Sequence, residues 1–470
     1  MDRQVAVYFL VGTNTASSYL NFCIMDSMQQ LSLNVPDTVK LRVVVIGGGF
    51  GGVAAVKHLD SRLFQVVLFD KHNYNSFWPL LYQVATAGLQ AEAIAGPLRR
   101  EFNQKKDFHF RPLKVQSVDV QANTLHTQAG DLSYDYLIIA NGSKSNYFGN
   151  KSMQQYAFGL KSIPDALNLR SQLIQAFERA VLTSDLAERA RILTIVLVGA
   201  GPTGVETAGA LAELRKYVLP KDYPTIDFSQ MKIYLLDGLD RVLPPMSVKA
   251  SEKAHRYLEK MGVIIRTNTL VDSYDGAVVK LKSGEEIQSY SVIWSAGVTG
   301  DILQGLPPEW AEKGRLLTDE NCRIIGSKNI FAIGDIAAMK TTAYPKGHPG
   351  LAQPAMQMGT YLGKNMQALH LGENVKPFKY FDKGSLATVG RGKAVADLPG
   401  KLHFGGRIAW YIWLFVHISF LISFRNKLLV FVNWMWNYFT FDKANRLIIR
   451  PYVRKGDAVA QEVFLENEEG

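Results

Sequence analysis

"RVVVIGGGFGG", residues 42–52, decides the fold, because it joins a short apolar run to closely spaced glycines. Val43 to Ile46 are four consecutive β-branched residues, the pattern of a strand buried on both faces in a parallel sheet. Gly47, Gly49 and Gly52 then fit G-x-G-x-x-G. The first glycine permits a tight turn, the second lets a pyrophosphate approach the backbone, and the third lets the next helix pack on the strand. "VAAVKHL" supplies that helix, whose N-terminal amides and dipole favour phosphate. A second strand, "FQVVLFD", ends on Asp70, eighteen residues past Gly52, where an acid can bond a ribose hydroxyl.

The pattern recurs. "RILTIVLVG" reads as a strand, Gly199, Gly201 and Gly204 as the turn, "VETAGALAELRKYV" as the helix, and Asp237 as the acid closing "MKIYLLD". A lone glycine fingerprint can be nothing more than a tight turn. Two, each with strand, helix and terminal acid, point to two dinucleotides in one chain, and hence to hydride transfer from a nicotinamide to a flavin. Asp237 favours NADH over NADPH, since a carboxylate bonds a 2′-hydroxyl and repels a 2′-phosphate; Arg241 nearby works against that preference. "NIFAIGDIA", 329–337, is a further strand ending at Gly334 and Asp335, where an acid can meet a ribityl or phosphate group.

Composition narrows the class. With 470 residues there is room for two or three cores, and 47% apolar with 20% charged residues excludes both disorder and a many-helix membrane protein. The net charge of +10 is concentrated: residues 401–455 hold nine Lys or Arg against one acid, Asp442. That distribution argues against a nucleic-acid partner and for a local basic surface. Cys23 and Cys322 stand apart with no paired spacing, so a disulfide framework, a thiolate metal site and a dithiol relay are not expected. "AVYFLVG" near the start lacks a basic n-region and a cleavage box, and a poorly ordered start, with Met25 or Met28 as alternative first residues, is the expectation.

From about residue 40 to 455 the chain resembles the type II NADH:quinone oxidoreductases, single-chain FAD enzymes of the membrane surface. "FWPLLYQVATAGL", 77–89, is similar to the family's segment beside the flavin ring. "YDYLIIANGSKSNYFG" and "SVIWSAGV" resemble its two crossovers between FAD and NAD domains, with Asn141 where the family usually has Thr. "AQPAMQMG", 352–359, places Gln353 and Gln357 in the family's motif next to flavin and quinone. Pro354 suits a helix's first turn, which puts the two amides on one face. A helix N-terminus there would stabilise a reduced flavin by on the order of 1 kcal/mol, and two glutamines can bond quinone carbonyls without adding charge. A polar helix start without a ligand is the alternative. Glu206 matches the family's glutamate near flavin and quinone; burial would raise its pKa and suit it to proton delivery, although an acid at a helix start is also favoured by the dipole alone. Ala210 stands where the family has a carboxylate.

The C-terminal region bears on the electron acceptor. "IAWYIWLFVHISFLISF", 408–424, is marginal for a span of about 20 apolar residues. In "LLVFVNWMWNYFTF" a polar stripe of Asn426, Asn433, Asn437 and Thr440 leaves Trp434, Trp436 and Phe439 elsewhere. Such a helix, flanked by Lys and Arg, suits the plane of an anionic lipid surface; packing into a core or a homodimer interface is the alternative. His417 reads as a helix-face residue.

The expectation is an α/β fold of two Rossmann-like dinucleotide-binding domains with a C-terminal amphipathic helical membrane-binding region. Its parts are an N-terminal extension 1–38, FAD domain 39–158 and 301–400, NAD domain 159–300, and membrane region with tail 401–470. The resemblance implies NADH as donor, a membrane quinone as acceptor, no metal, no proton pumping, and a peripheral site on the cytoplasmic face of an inner or plasma membrane. A soluble reductase serving a protein acceptor, or a flavoprotein that signals by binding, would need no such region.

Overall fold

Two parallel sheets, each of five strands, carry the two glycine turns at equivalent places. The first runs in the order 330–332, 136–139, 41–46, 64–69 and 108–111, with Val43 opposite Val66 and Tyr136. The second runs 158–159, 291–294, 195–198, 233–236 and 264–266. Strands 43–46, 66–69 and 195–198 are buried throughout, as continuous apolar runs in parallel sheets must be. The structure, a computed structural model, describes residues 31–421 and 423–453. The expectations for the first thirty residues, Cys23, Met25 and Met28 among them, and for Arg454 and Lys455 lie outside the described residues.

Helix α1 (Phe50–His58) follows the first turn and α2 (Pro202–Glu213) the second. Some expected bounds shift. Arg191–Leu193 finish a helix capped by Asp185, and the strand starts only at Ile195. The α2 helix begins at Pro202 and passes into a π turn at Leu214–Val218, short of one continuous helix. The boundary expected after residue 158 falls within the strand Phe158–Gly159, which pairs into the second sheet.

The chain crosses between the sheets at Ser143–Ser145 and Val298–Gly300, which pair antiparallel. Asn141, beside this ribbon, donates from Nδ2 to the Asp301 carbonyl at 2.6 Å and so ties the two crossovers together. Returning, the chain forms α3 (Ala352–His370), packed on α1 so closely that a Cβ on Gly359 would lie 2.2 Å from the Gly51 carbonyl oxygen.

The boundary expected at 400 also moves. A three-stranded antiparallel sheet, Ser385–Gly390, Lys393–Leu398 and Leu402–Gly406, spans it. This sheet sits on α2, where a Cβ on Gly209 would come within 1.8 Å of the Val389 carbonyl oxygen. Two helices follow, α4 (Arg407–Phe420) and α5 (Phe424–Thr440). Among the described residues no helix is long and apolar enough to cross a membrane.

The α1–α3 contact leaves no room for a methyl group. Gly359→Ala is predicted to destabilise the protein by about 1–3 kcal/mol, read as a fall in melting temperature. An unchanged melting temperature would show that the helices can separate freely.

Candidate functional site

Each glycine turn has the form a pyrophosphate needs. A Cβ on Gly52 would meet the Gly47 oxygen at 1.8 Å and one on Gly204 the Gly199 oxygen at 1.9 Å, so both third glycines are required for helix–strand packing. Gly49 and Gly201 face open space, and each is the N-cap of its helix with no side chain covering the amides. Asp70 braces the first turn, accepting from Gly48 N at 2.6 Å and His72 N at 2.7 Å. Asp237 does the same in the second, accepting from Ala200 N and Leu239 N. Each carboxylate keeps lone pairs for a ribose hydroxyl. Arg241 turns back to the Pro244 carbonyl.

Asp335 stands in the short turn Gly334–Ile336 that follows the edge strand of the first sheet. Its Oδ2 accepts from Ser143 Oγ at 2.6 Å and lies 3.8 Å from Lys161 Nζ, whose ammonium rests 4.5 Å from the centre of the Trp78 ring. Burial lowers the Lys161 pKa, with Asp335 opposing. No motif or spacing pointed to Lys161. The first turn of α3 closes this zone, with Ala355 against Gly51 and Gly334. The cradle, the open Gly49, the uncapped helix and Asp335 together fit FAD: the turn would hold its pyrophosphate, Asp70 its ribose and Asp335 its ribityl chain.

The two glutamines of α3 share a face, as expected, and that face is already engaged. Gln353 bonds Gly384 O and Lys383 N, while Gln357 bonds Phe381 O and Phe381 N at 2.9 Å each. Together they clamp segment 381–384 to α3. Each amide retains one N–H and one lone pair.

Glu206 opens elsewhere, on a pocket enclosing about 810 Å3 of space continuous with solvent. Neither Gln353 nor Gln357 lines it. Its floor is the face of α2 that carries Glu206, Ala210 and Glu213. Its walls are Tyr82 and Gln83 from the short helix Leu81–Ala85, Trp410 and Trp413 from α4, Trp434 and Tyr438 from α5, and Thr388 to Arg391 from the small sheet. A ladder of rings joins the pocket to the first glycine turn: Phe50 to Phe77 at 5.8 Å, Phe77 to His417 at 5.9 Å, and His417 stacked on Trp413 at 4.1 Å.

Burial governs the charges here. It pushes the Glu206 carboxyl up to about 8, against the Thr388 N–H and the Trp413 indole, which favour the carboxylate. The acid is therefore neutral at pH 7. His417, buried and bonded from Nδ1 to the Trp413 carbonyl, is pushed down to about 4 and stays neutral too. Lys443 donates to the Ala210 carbonyl at 3.1 Å; burial lowers its ammonium to about 8, while Glu213 opposes. Lys443 thus covers the carbonyl of Ala210, and nothing in the sequence pointed to it.

The polar stripe of α5 faces the opposite way from the one a surface helix would use. Asn426, 3% exposed, donates to Ala95 O, Asn437 to Gly88 O, and Trp434 Nε1 to Gln83 Oε1. Asn426, Asn437 and Trp434 grip the protein body, Asn433 bonds Leu429 O of its own helix, and the apolar residues face out: Phe424, Leu428, Phe431, Val432, Met435, Trp436 and Phe439 on α5, with Ile408, Tyr411 and Phe415 on α4. Of the basic residues counted from the sequence, Lys443 is withdrawn, Arg446 pairs with Asp222 and Asp442, and Arg450 bonds Asn168. Lys401, Arg407 and Arg425 are exposed. Cys322, the described cysteine, is wholly buried, and burial raises its thiol.

Comparison with known proteins agrees with this arrangement. A family model described as pyridine nucleotide-disulphide oxidoreductase matches residues 41–359, and one described as the NDH2 C-terminal domain matches 383–440. Two type II NADH:quinone oxidoreductases of Mycobacterium tuberculosis, NdhA and Ndh, are each 38% identical, over 86% and 84% of this chain and 89% and 87% of theirs. An external alternative NADH-ubiquinone oxidoreductase of Yarrowia lipolytica mitochondria is 28% identical over 85% of this chain and 79% of its own. NDH2 of Plasmodium falciparum, solved in complex with NADH, superposes with a TM-score of 0.81 at 24% identity, covering 87% of this chain and 100% of that one, and so shares the fold.

A neutral folded acid implies a defined pH dependence. Glu206 holds its proton up to about 8 in the native state but ionises near 4.5 when unfolded, so its contribution to stability falls as pH rises between those values. Glu206→Gln should therefore gain stability relative to the native protein from pH 5 to pH 8 in thermal melts. A difference that does not change with pH would contradict a buried neutral carboxyl.

Proposed function

The chain belongs to the type II NADH:quinone oxidoreductases, and from that premise we propose that it oxidises NADH and reduces a membrane quinone in the pocket floored by Glu206. The observation that carries this reading is a neutral buried acid in an aromatic pocket whose walls, α4 and α5, present apolar faces outward.

The net change is NADH + H+ + quinone giving NAD+ + quinol. FAD, held by the Gly47–Gly52 turn with Asp70 and Asp335, would supply the hydride-accepting, two-electron chemistry that joins NADH to quinone. Gly199, Gly201 and Gly204 hold the NADH pyrophosphate at the start of α2, and Asp237 holds the adenosine ribose. The carboxylate of Asp237 and the Arg241 guanidinium turned to its own loop both favour NADH over NADPH. Gln353 and Gln357 act through position, fixing the first turn of α3 and segment 381–384 against the flavin site. Glu206 supplies the proton drawn from solution. Its carboxyl retains that proton at neutral pH until a ring oxygen accepts it, and the Thr388 N–H and Trp413 indole stabilise the carboxylate that remains.

The outer faces of α4 and α5 are proposed to lie in the lipid surface. An apolar side chain fully withdrawn from water contributes about 1.5–3 kcal/mol, and exposed Lys401, Arg407 and Arg425 suit an anionic cytoplasmic leaflet. A soluble quinol-independent reductase would have no use for such a face.

Purified protein should be yellow; NADH should bleach it faster than equal NADPH, and a long-chain quinone should restore the colour. Glu206→Gln should bleach normally and recover on the order of 10²-fold more slowly. Failure of quinone to reoxidise the native protein would refute the assignment. The triple change Phe415→Ser, Phe431→Ser, Trp436→Ser should keep the melting temperature, since all three side chains are exposed, and abolish co-sedimentation with anionic vesicles. Retained vesicle binding would place the docking face elsewhere.

A further inference from the structure

The polar end of the Glu206 pocket gathers three hydrogen-bond donors whose capacity the protein uses only in part. Trp413 is 2% exposed, and its Nε1 is buried and makes no well-formed hydrogen bond, although it faces the Glu206 carboxyl. Arg391 reaches the pocket from the turn between the first two strands of the small sheet. Its guanidinium is held flat between the rings of Tyr438 and Phe441, 4.1 Å from each centre, and its Nη1 is buried with no partner. Lys443, from the segment after α5, adds an ammonium whose described hydrogen bond goes to the Ala210 carbonyl. These three donors come from three different elements and all line one pocket.

A buried donor without a partner is costly, by the full desolvation of its polar atom, so a pocket that keeps Arg391 Nη1 unpaired and the Trp413 indole loosely held is shaped for an acceptor brought by a ligand. The balance of charge is also uneven. Glu206 is neutral at pH 7, leaving Arg391 and Lys443 against Glu213, whose Oε1 is taken by the Arg391 backbone N–H. Stacking on two rings fixes the guanidinium plane and strips its water, which strengthens any charge-assisted hydrogen bond it makes.

We propose that Arg391, Lys443 and Trp413 form an oxyanion subsite that selects ring oxygens bearing negative charge, so that the pocket binds hydroxyquinones in their ionised form more tightly than neutral quinones of the same size. This rests on the reading of the pocket as the quinone site and adds the substrate class it discriminates. Arg391 and Lys443 supply the charge; Trp413 orients the oxygen. The groups facing Lys443 are Glu206 and Glu213 on α2, Arg391 on the turn, Tyr82 on the short helix, and Asp442 and Arg446 on its own segment. Raising the pH through 8 removes the Lys443 charge and ionises Glu206, and both changes weaken the hold on an anion.

The test uses oxidised holoenzyme without NADH and reads binding by calorimetry and by quenching of tryptophan fluorescence. The probes are a 2-hydroxy-3-alkyl-1,4-naphthoquinone, ionised at neutral pH, and its 2-methoxy counterpart, which cannot ionise. At pH 7 the hydroxy compound should bind about tenfold more tightly, and the preference should shrink by pH 9. Arg391→Gln should abolish the preference while retaining affinity for the methoxy compound; Lys443→Met, which leaves the stacked guanidinium in place, should reduce it. Equal binding of the two probes by the native protein would sink the oxyanion subsite while leaving a quinone pocket. Both variants losing the two probes equally would sink it as well. Binding of neither probe to the native protein would overturn the pocket's assignment and the subsite with it.

Discussion

Backbone meeting backbone without an intervening Cβ is the constraint from which the site follows. Gly52 lies on the Gly47 carbonyl and Gly204 on that of Gly199, which seats each helix N-terminus at the carboxyl end of its sheet. Gly359 lies on Gly51, which draws α3 onto the first dinucleotide turn, and Gly209 lies on Val389, which draws the C-terminal sheet onto α2. Because interiors are close-packed, these approaches fix the spacing between elements to within a methyl group. The first glycine turn, the second and the Glu206 pocket are in this way held by one set of contacts.

α2 serves two of these zones. Its N-terminus is an uncapped amide end suited to a nucleotide pyrophosphate, and one turn further along, the same helix buries Glu206 beneath aromatic rings. The two ends meet different electrostatic demands. Uncapped amides at the start favour negative charge, whereas burial around Glu206 disfavours it and keeps the acid neutral. Lys443 extends the contrast, because it places an ammonium over the Ala210 carbonyl in a wall where the neighbouring acid Glu206 carries no charge at pH 7.

The C-terminal helices that wall the pocket carry an inverted amphipathicity. A helix lying on a protein usually buries its apolar stripe. α5 uses its asparagines instead, because the surface it covers, residues 83–95, offers backbone carbonyls and the Gln83 side chain that need donors. The apolar side chains are thereby freed to face outward, while Trp413 and Trp434 turn in to wall the pocket.

Local periodicity and glycine spacing were enough to determine both strand–glycine–helix turns and the acids Asp70 and Asp237 that brace them, since those features obey rules that act within a few tens of residues. The strand expected to end at Asp335 stops at Ala332, and Asp335 sits in the turn after it. The existence of an amphipathic α5 was equally legible, but not which face turned inward, because the answer depends on unsatisfied carbonyls contributed more than three hundred residues away. The same holds for the pocket. Glu206 was visible as an acid near a helix start, yet its raised pKa comes from burial by distant segments, against the hydrogen bonds of Thr388 and Trp413, and Arg391, Lys443 and Lys161 became visible only once distant segments met. Gln353 and Gln357 were correctly placed on one face, and only the packing of segment 381–384 revealed that their amides hold backbone. Sequence determines what a residue can do; burial and partners, which are long-range, decide which of those things it does.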